Sequence, residues 1–235
     1  MGLSLSHRSA TIVALFGTLV AAGCGGSASS PSSPSSTSSS NTSPVIAAMS
    51  VSPSFGVSGL STFAMAASAT DANGDSLTYT WTLGTATLTG ASVSGTIAGD
   101  GAVTVRLTVV DGKGGSATDT RTVTIGTLSG TWDVVVPNSC GSDGYSSTLT
   151  QSGAIATGSF LFSRVWCNVP AGSTALTDPA EPGTITAAGA VNIRVKVGFF
   201  TDFYMRGTMG TTGRVITGGI FNSGWSGQNF TATKR

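Results

Sequence analysis

The stretch Val191-Asn-Ile-Arg-Val-Lys-Val197 limits what this chain can become more sharply than any other. In an extended strand it places Val191, Ile193, Val195 and Val197 on one face and Asn192, Arg194 and Lys196 on the other. Leu77-Thr-Tyr-Thr-Trp-Thr-Leu83 and Val103-Thr-Val-Arg-Leu-Thr-Val109 alternate in the same way. Between residues 45 and 125 no ten-residue segment keeps a 3.6-residue apolar period; short Val-, Thr- and Ile-rich runs are separated instead by Gly, Asn, Asp and Ser clusters. The pattern predicts an all-β protein.

Punctuation divides it into two folded units. Residues 45–126 hold about seven strand-like runs, with Asn73-Gly74 and Asp111-Gly112 as tight-turn signals, which predicts a β-sandwich. Residues 128–235 hold eight more, at 130–136, 145–151, 155–166, 183–187, 191–198, 203–209, 214–221 and 228–234. Eight short antiparallel strands joined by small turns remove their exposed edges by closing on themselves, so an eight-stranded up-and-down β-barrel is expected, with a second sandwich as the alternative. Twelve of the 17 aromatic residues lie in this second unit. Gly126-Thr127 is a short joint that implies restricted motion between the two.

The first 44 residues belong to neither unit. An uncharged thirteen-residue run at 10–22 follows His7 and Arg8; it is too short to span a bilayer and suits the apolar core of a signal peptide covering residues 1–23. Eleven serines in the eighteen residues from Ser27 to Pro44 then read as a disordered tether, about 23 Å long on average, within the segment 24–44. Ala21-Ala22-Gly23-Cys24 resembles the lipobox of bacterial lipoproteins, although Ala21 stands where that family usually has Leu. The resemblance implies cleavage before Cys24, lipidation of its thiol, and export to the cell envelope with the membrane as partner through the lipid anchor. Gly25 after the cysteine resembles lipoproteins sorted to the outer membrane. An ordinary secreted protein with Cys24 as a spare thiol is the alternative.

In the first unit, Asp71-Ala-Asn-Gly-Asp-Ser-Leu-Thr-Tyr-Thr-Trp81, followed by Val103-Thr-Val-Arg-Leu-Thr-Val-Val-Asp111 and Gly114-Gly-Ser-Ala-Thr118, resembles the polycystic-kidney-disease (PKD) repeat, an immunoglobulin-like sandwich. The family's Phe-Gly-Asp-Gly turn is replaced after Trp81 by Thr82-Leu83-Gly84, which makes this a degenerate member. The resemblance implies a spacer or contact module rather than a catalyst. Asp71, Asn73 and Asp75 alternate in a way that could offer oxygens to calcium, but position twelve counted from Asp71 is Thr82 rather than Glu, and a hairpin turn with solvated carboxylates is the favoured reading. Asp111-Gly-Lys-Gly-Gly115 lacks the spacing of a phosphate-binding loop and reads as a turn.

The second unit opens with Gly130-Thr131-Trp132, similar to the start of lipocalin and avidin barrels, where the tryptophan plugs one end; Trp132 is expected in the core. Tyr145, Trp166 and Trp225 lie near predicted strand ends, where a ligand-binding mouth would be, with rim packing as the favoured alternative. Cys140 and Cys167, an exported pair once Cys24 is assigned to lipid, suggest a disulfide closing a loop of about 28 residues, with a stabilisation of about 3.5 kcal/mol.

Chemistry is narrowed by what is missing. The single histidine is His7, so a chain processed at Cys24 has no imidazole for a Ser-His-Asp or Cys-His site, for zinc, or for a pH switch. Charged residues are 9% of the chain and the net charge is +1, split as −2 in the first unit and +2 in the second, which gives no electrostatic motive for binding nucleic acid. No cofactor is implied beyond the weak calcium pattern. The reading is a non-catalytic envelope lipoprotein whose PKD-like spacer presents a barrel that binds a small molecule, a glycan or a protein. A barrel acting through its loops as an inhibitor or adhesin is the alternative, and a hydrolase using Asp178 and Glu181 as acid and base is a weaker one, because Asp-Pro-Ala-Glu-Pro looks like an exposed loop.

Overall fold

The structure is a computed structural model that describes residues 40–137, 144–163, 169–198, 202–222 and 225–235, with the backbone alone at 225 and 226. The signal-like segment, Cys24, Cys140, Trp166 and Cys167 lie outside the described residues.

The first unit runs through β1 (Val45–Ser52), β2 (Phe55–Val57), β3 (Thr62–Thr70), β4 (Thr78–Leu83), β5 (Ala86–Thr89), β6 (Ser92–Thr96), β7 (Gly101–Val110) and β8 (Ser116–Gly126). One sheet has the order β1-β3-β6 and the other β2-β8-β7-β4-β5; every pairing is antiparallel except β2 with β8. The alternation seen in the sequence sets what each strand buries. Trp81 and Leu83 from β4, and Val105, Leu107 and Val109 from β7, face Phe63 and Met65 from β3 across the sandwich. The buried indole of Trp81 donates to the Gly90 carbonyl at 2.9 Å, so its one polar group is not left unsatisfied.

The turns tie down the chain's entry into this unit. The Asp111 carboxylate accepts from the Lys113 and Gly115 amides at 2.7 and 2.9 Å, and from the Asn41 side-chain amide at 2.7 Å. Chiefly because of Asn41, its carboxyl is held below the usual carboxylate range. The Asn73 side-chain carbonyl accepts from the Thr42 amide at 2.8 Å. The residues just before β1 are thus held against the turns of the sandwich.

The second unit contains β9 (Gly130–Val135), β10 (Tyr145–Ser152), β11 (Ile155–Leu161), β12 (Thr174–Thr177), β13 (Gly183–Ile185), β14 (Ala190–Lys196), β15 (Phe203–Met209), β16 (Val215–Asn222) and β17 (Trp225–Lys234). It is a closed antiparallel barrel. The last strand returns to the first, with Thr231 opposite Val135 and Lys234 opposite Trp132, so no edge is left to template aggregation. Eight positions are filled by nine strands, because β12 and β13 share the place between β11 and β14. β12 pairs Leu161 and Lys196 at one end, and β13 pairs Ala156 and Val191 at the other. The predicted strand at 183–187 is thus half of a broken strand whose other half the sequence did not announce.

The two units share packing as well as a joint. Val57 of β2 is fully buried in the barrel's core, with Phe55 and Leu60 packed against it. The Ser61 hydroxyl accepts from the Val57 amide and donates to the Ala187 carbonyl, each at 2.7 Å. Gln151 accepts from the Leu128 amide at 2.8 Å and donates to the Ser58 carbonyl at 3.4 Å. Lys234, with a side chain only 4% exposed, reaches from the closing strand to Asp100 of the sandwich at 2.7 Å. Gly126 is required at the joint because a Cβ there would strike the Met209 sulfur and lie 3.1 Å from the Gly213 Cα. The sandwich thus caps one end of the barrel rather than standing off from it.

Candidate functional site

A barrel of eight strands has an interior that side chains either fill or leave open for one small ligand. Here they fill it. A void of about 10 Å³, lined by Trp132, Phe160, Met205 and Phe230 among others, is room for about one water and for no ligand. Trp132 is 1% exposed and its indole donates to the Leu128 carbonyl at 2.9 Å, closing the end next to the sandwich as a core residue.

Tyr145 is in that core and not at a mouth. It is 2% exposed, its ring packs on Phe160, Phe162 and Phe203 with centroids 5.9, 5.0 and 6.3 Å away, and its hydroxyl donates to the Met205 sulfur at 3.1 Å. Burial pushes its phenol well above the ordinary tyrosine range. The physical reason is periodicity: Tyr145, Ser147 and Leu149 share a face of β10, and that face looks inward. Trp225 opens β17 opposite Asn222.

The calcium candidates form a turn. One Asp71 oxygen accepts from the Asn73 and Asp75 amides at 2.8 and 3.2 Å, and the Asn73 carbonyl is engaged by Thr42. The other Asp71 oxygen is buried without a hydrogen-bond partner. Among the described residues no three His, Cys, Asp or Glu side chains gather to hold a metal ion.

Asp178 and Glu181, the carboxylates considered for acid and base, meet on one guanidinium. Arg194 lies 3.2 Å from Asp178, 3.1 Å from Glu181 and 3.1 Å from Asp202. Asp178 is 4% exposed rather than part of an exposed loop, while Pro179, Ala180 and Glu181 remain exposed around it. The Ala180 amide, donating at 2.9 Å, is the main reason its carboxyl sits below the usual range. A group held ionised in this way is poorly suited to deliver a proton at neutral pH.

Polar chemistry therefore collects on the outside of β14, β15 and β16. Register places Arg194 opposite Tyr204, Tyr204 opposite Phe221, Asn192 opposite Arg206, and Arg206 opposite Gly219. The missing side chain at Gly219 matters. A Cβ there would lie 2.9 Å from two ring carbons of Phe221, so the glycine lets the ring lie down over the strand. The Arg206 guanidinium carbon sits 5.0 Å from the centre of the Tyr204 ring and 5.7 Å from that of Phe221, within cation–π range of both. Its Nε donates to the Asn192 side-chain carbonyl at 3.2 Å. The Tyr204 hydroxyl donates to Glu181 at 3.0 Å, and this bond is the main cause that raises its phenol above the usual range. Exposed Thr208, Thr217 and Asn229 continue the outer face. The result is a platform of two half-buried rings, one exposed guanidinium and a border of hydroxyls and amides.

Alternation had already put Asn192 and Arg194 on a wet face. The β15–β16 register that sets Tyr204 beside Phe221 has no local signal, so the platform itself was not anticipated.

Comparison with known proteins bears on the first unit. Residues 41–125 match the family model of the PKD domain. No match emerged among curated proteins. The chain is similar to a solved structure described as the "Structural basis for the promiscuous specificity of the carbohydrate-binding modules from the beta-sandwich super family", at 17% identity and a TM-score of 0.35, covering 52% of this chain. The chain spans 59% of that neighbour's length. A likeness at this level carries nothing about ligands.

Proposed function

We propose that this protein is a non-catalytic, lipid-anchored envelope protein whose barrel binds glycans on its outer wall. The observation that carries the reading is the contrast between a filled interior and the Tyr204–Arg206–Phe221 platform outside it. A sugar presents a C–H face that packs on an aromatic ring and an equatorial border of hydroxyls that needs amides, hydroxyls and guanidinium groups, and this platform supplies both. The lipobox-like Cys24 and the serine-rich tether would hold the head away from the membrane, and the PKD domain supports this role by bracing the barrel from one end.

Titrating the full chain with a panel of neutral and charged oligosaccharides, with Tyr204→Ala and Phe221→Ala as controls, tests the reading. Loss of one ring should weaken binding about tenfold while circular dichroism stays unchanged. Variants that bind as the wild type does would place the site elsewhere.

A further inference from the structure

Of the two arginines on the outer face, Arg194 has its charge matched: three carboxylates meet its two Nη atoms, although its Nε is buried without a hydrogen-bond partner among the described residues, and the Tyr204 ring lies beneath it at 5.8 Å. Arg206 differs. It forms no ion pair among the described residues, and its Nε alone is engaged, by an uncharged amide. Glu181, the carboxylate that reaches the Tyr204 hydroxyl, is already engaged by Arg194.

A guanidinium offers five N–H donors in a planar fork, and its two-Nη edge matches a carboxylate in bidentate fashion. With Nε anchored by Asn192 and the group seated against two rings, that edge is the one left for solvent. Seating also removes much of the rotational freedom that an exposed arginine would otherwise lose on binding. A seated cation that forms no ion pair among the described residues, beside rings, amides and hydroxyls, favours a ligand that carries one carboxylate on a sugar-sized ring.

Resting on the outer-wall reading above, we infer that the platform is a subsite for a carboxylate-bearing sugar, a hexuronate unit. Its ring packs on Phe221, its carboxylate meets the Nη edge of Arg206, and its hydroxyls reach Thr217 and Asn229. Lys in place of Arg206 would keep the charge but lose the fork and the stacking.

Oligogalacturonate and its methyl ester separate charge from shape, because esterification removes the charge and leaves the ring and its hydroxyls intact. Calorimetry on the full chain is expected to show the free acid binding at least about tenfold more tightly than the ester, a preference that shrinks as salt is raised. Arg206→Gln, at an exposed position, should make the two ligands equal without changing the fold, and Arg206→Lys should restore only part of the preference. If wild type binds acid and ester equally, or if Arg206→Gln keeps the preference, the acidic-sugar assignment fails while the outer-wall reading stands. If neither ligand binds and the neutral panel is also silent, both fail.

Discussion

The sandwich and the barrel bury alternating strands in different ways, and the difference explains where recognition is placed. The sandwich stacks two open sheets over a core whose large rings are Phe63 and Trp81. It spends its polar turn residues on itself, with Asp71, Asn73 and Asp111 bonded to backbone and to the entering chain. The barrel closes its sheet and packs Trp132, Tyr145, Phe160, Phe162, Phe203 and Phe230 inside. A closed cylinder filled in this way has only its ends and its outer wall to offer. One end is taken, because Val57 and Lys234 join it to the sandwich. The wall remains.

The sharpest way to break this comparison is to attack the residue the sandwich contributes to the barrel. Val57→Asp puts an unpaired charge into a fully buried site and should cost about 4 kcal/mol or more, so that sandwich and barrel lose stability together in urea unfolding followed by tryptophan fluorescence. A barrel transition that stayed in place would make the PKD domain a spacer after all. Gly126→Val should come next, at about 1–3 kcal/mol, since its side chain meets Met209 and the Gly213 backbone. Asp100→Asn leaves the buried Lys234 ammonium without its carboxylate. Because Asp100 is itself 42% exposed and water can take over part of the solvation, the expected loss is about 1 kcal/mol, read as a lower unfolding midpoint.

The pH dependence divides along the same line and is the smallest effect. Asp111 in the sandwich and Asp178 in the barrel have depressed folded-state values, so their contribution is present above the unfolded value near 4 and is lost as pH falls through the folded one. Asn41→Ala should move the Asp111 titration back up, measured by carboxyl NMR, and leave Asp178 unchanged. Tyr145 works in the other direction. Its raised value favours the folded state below the unfolded phenol value near 10, and stability is lost as pH rises beyond it. Absorbance at alkaline pH should therefore show Tyr145 ionising only as the barrel unfolds.

How far the sequence carried this picture depends on whether a feature is local. Alternation in 77–83 and 103–109 gave the buried faces of β4 and β7, because period two needs no knowledge of the partner strand. The Asn73-Gly74 and Asp111-Gly112 turns were legible for the same reason. β12 was not, since Thr174-Ala-Leu-Thr177 is four residues long and forms only when β11 and β14 leave a half-length gap beside it. Tyr145 shows two local signals in conflict: its place at a strand end suggests a rim, whereas its alternation with Leu149 assigns it to the interior, and burial followed the alternation. The Arg194 cluster and the Arg206 platform depend on cross-strand register and on the segment 178–182 between β12 and β13 meeting β14, which are long-range outcomes.

The central claim, recognition on the wall of a filled barrel, is tested most directly by a crystal structure of the full chain soaked with oligogalacturonate. Electron density for a sugar over Phe221, with its carboxylate within hydrogen-bond distance of Arg206 and the space around Trp132 unchanged, is the expected result. A sugar lodged inside the barrel against Trp132 and Phe230 would contradict it.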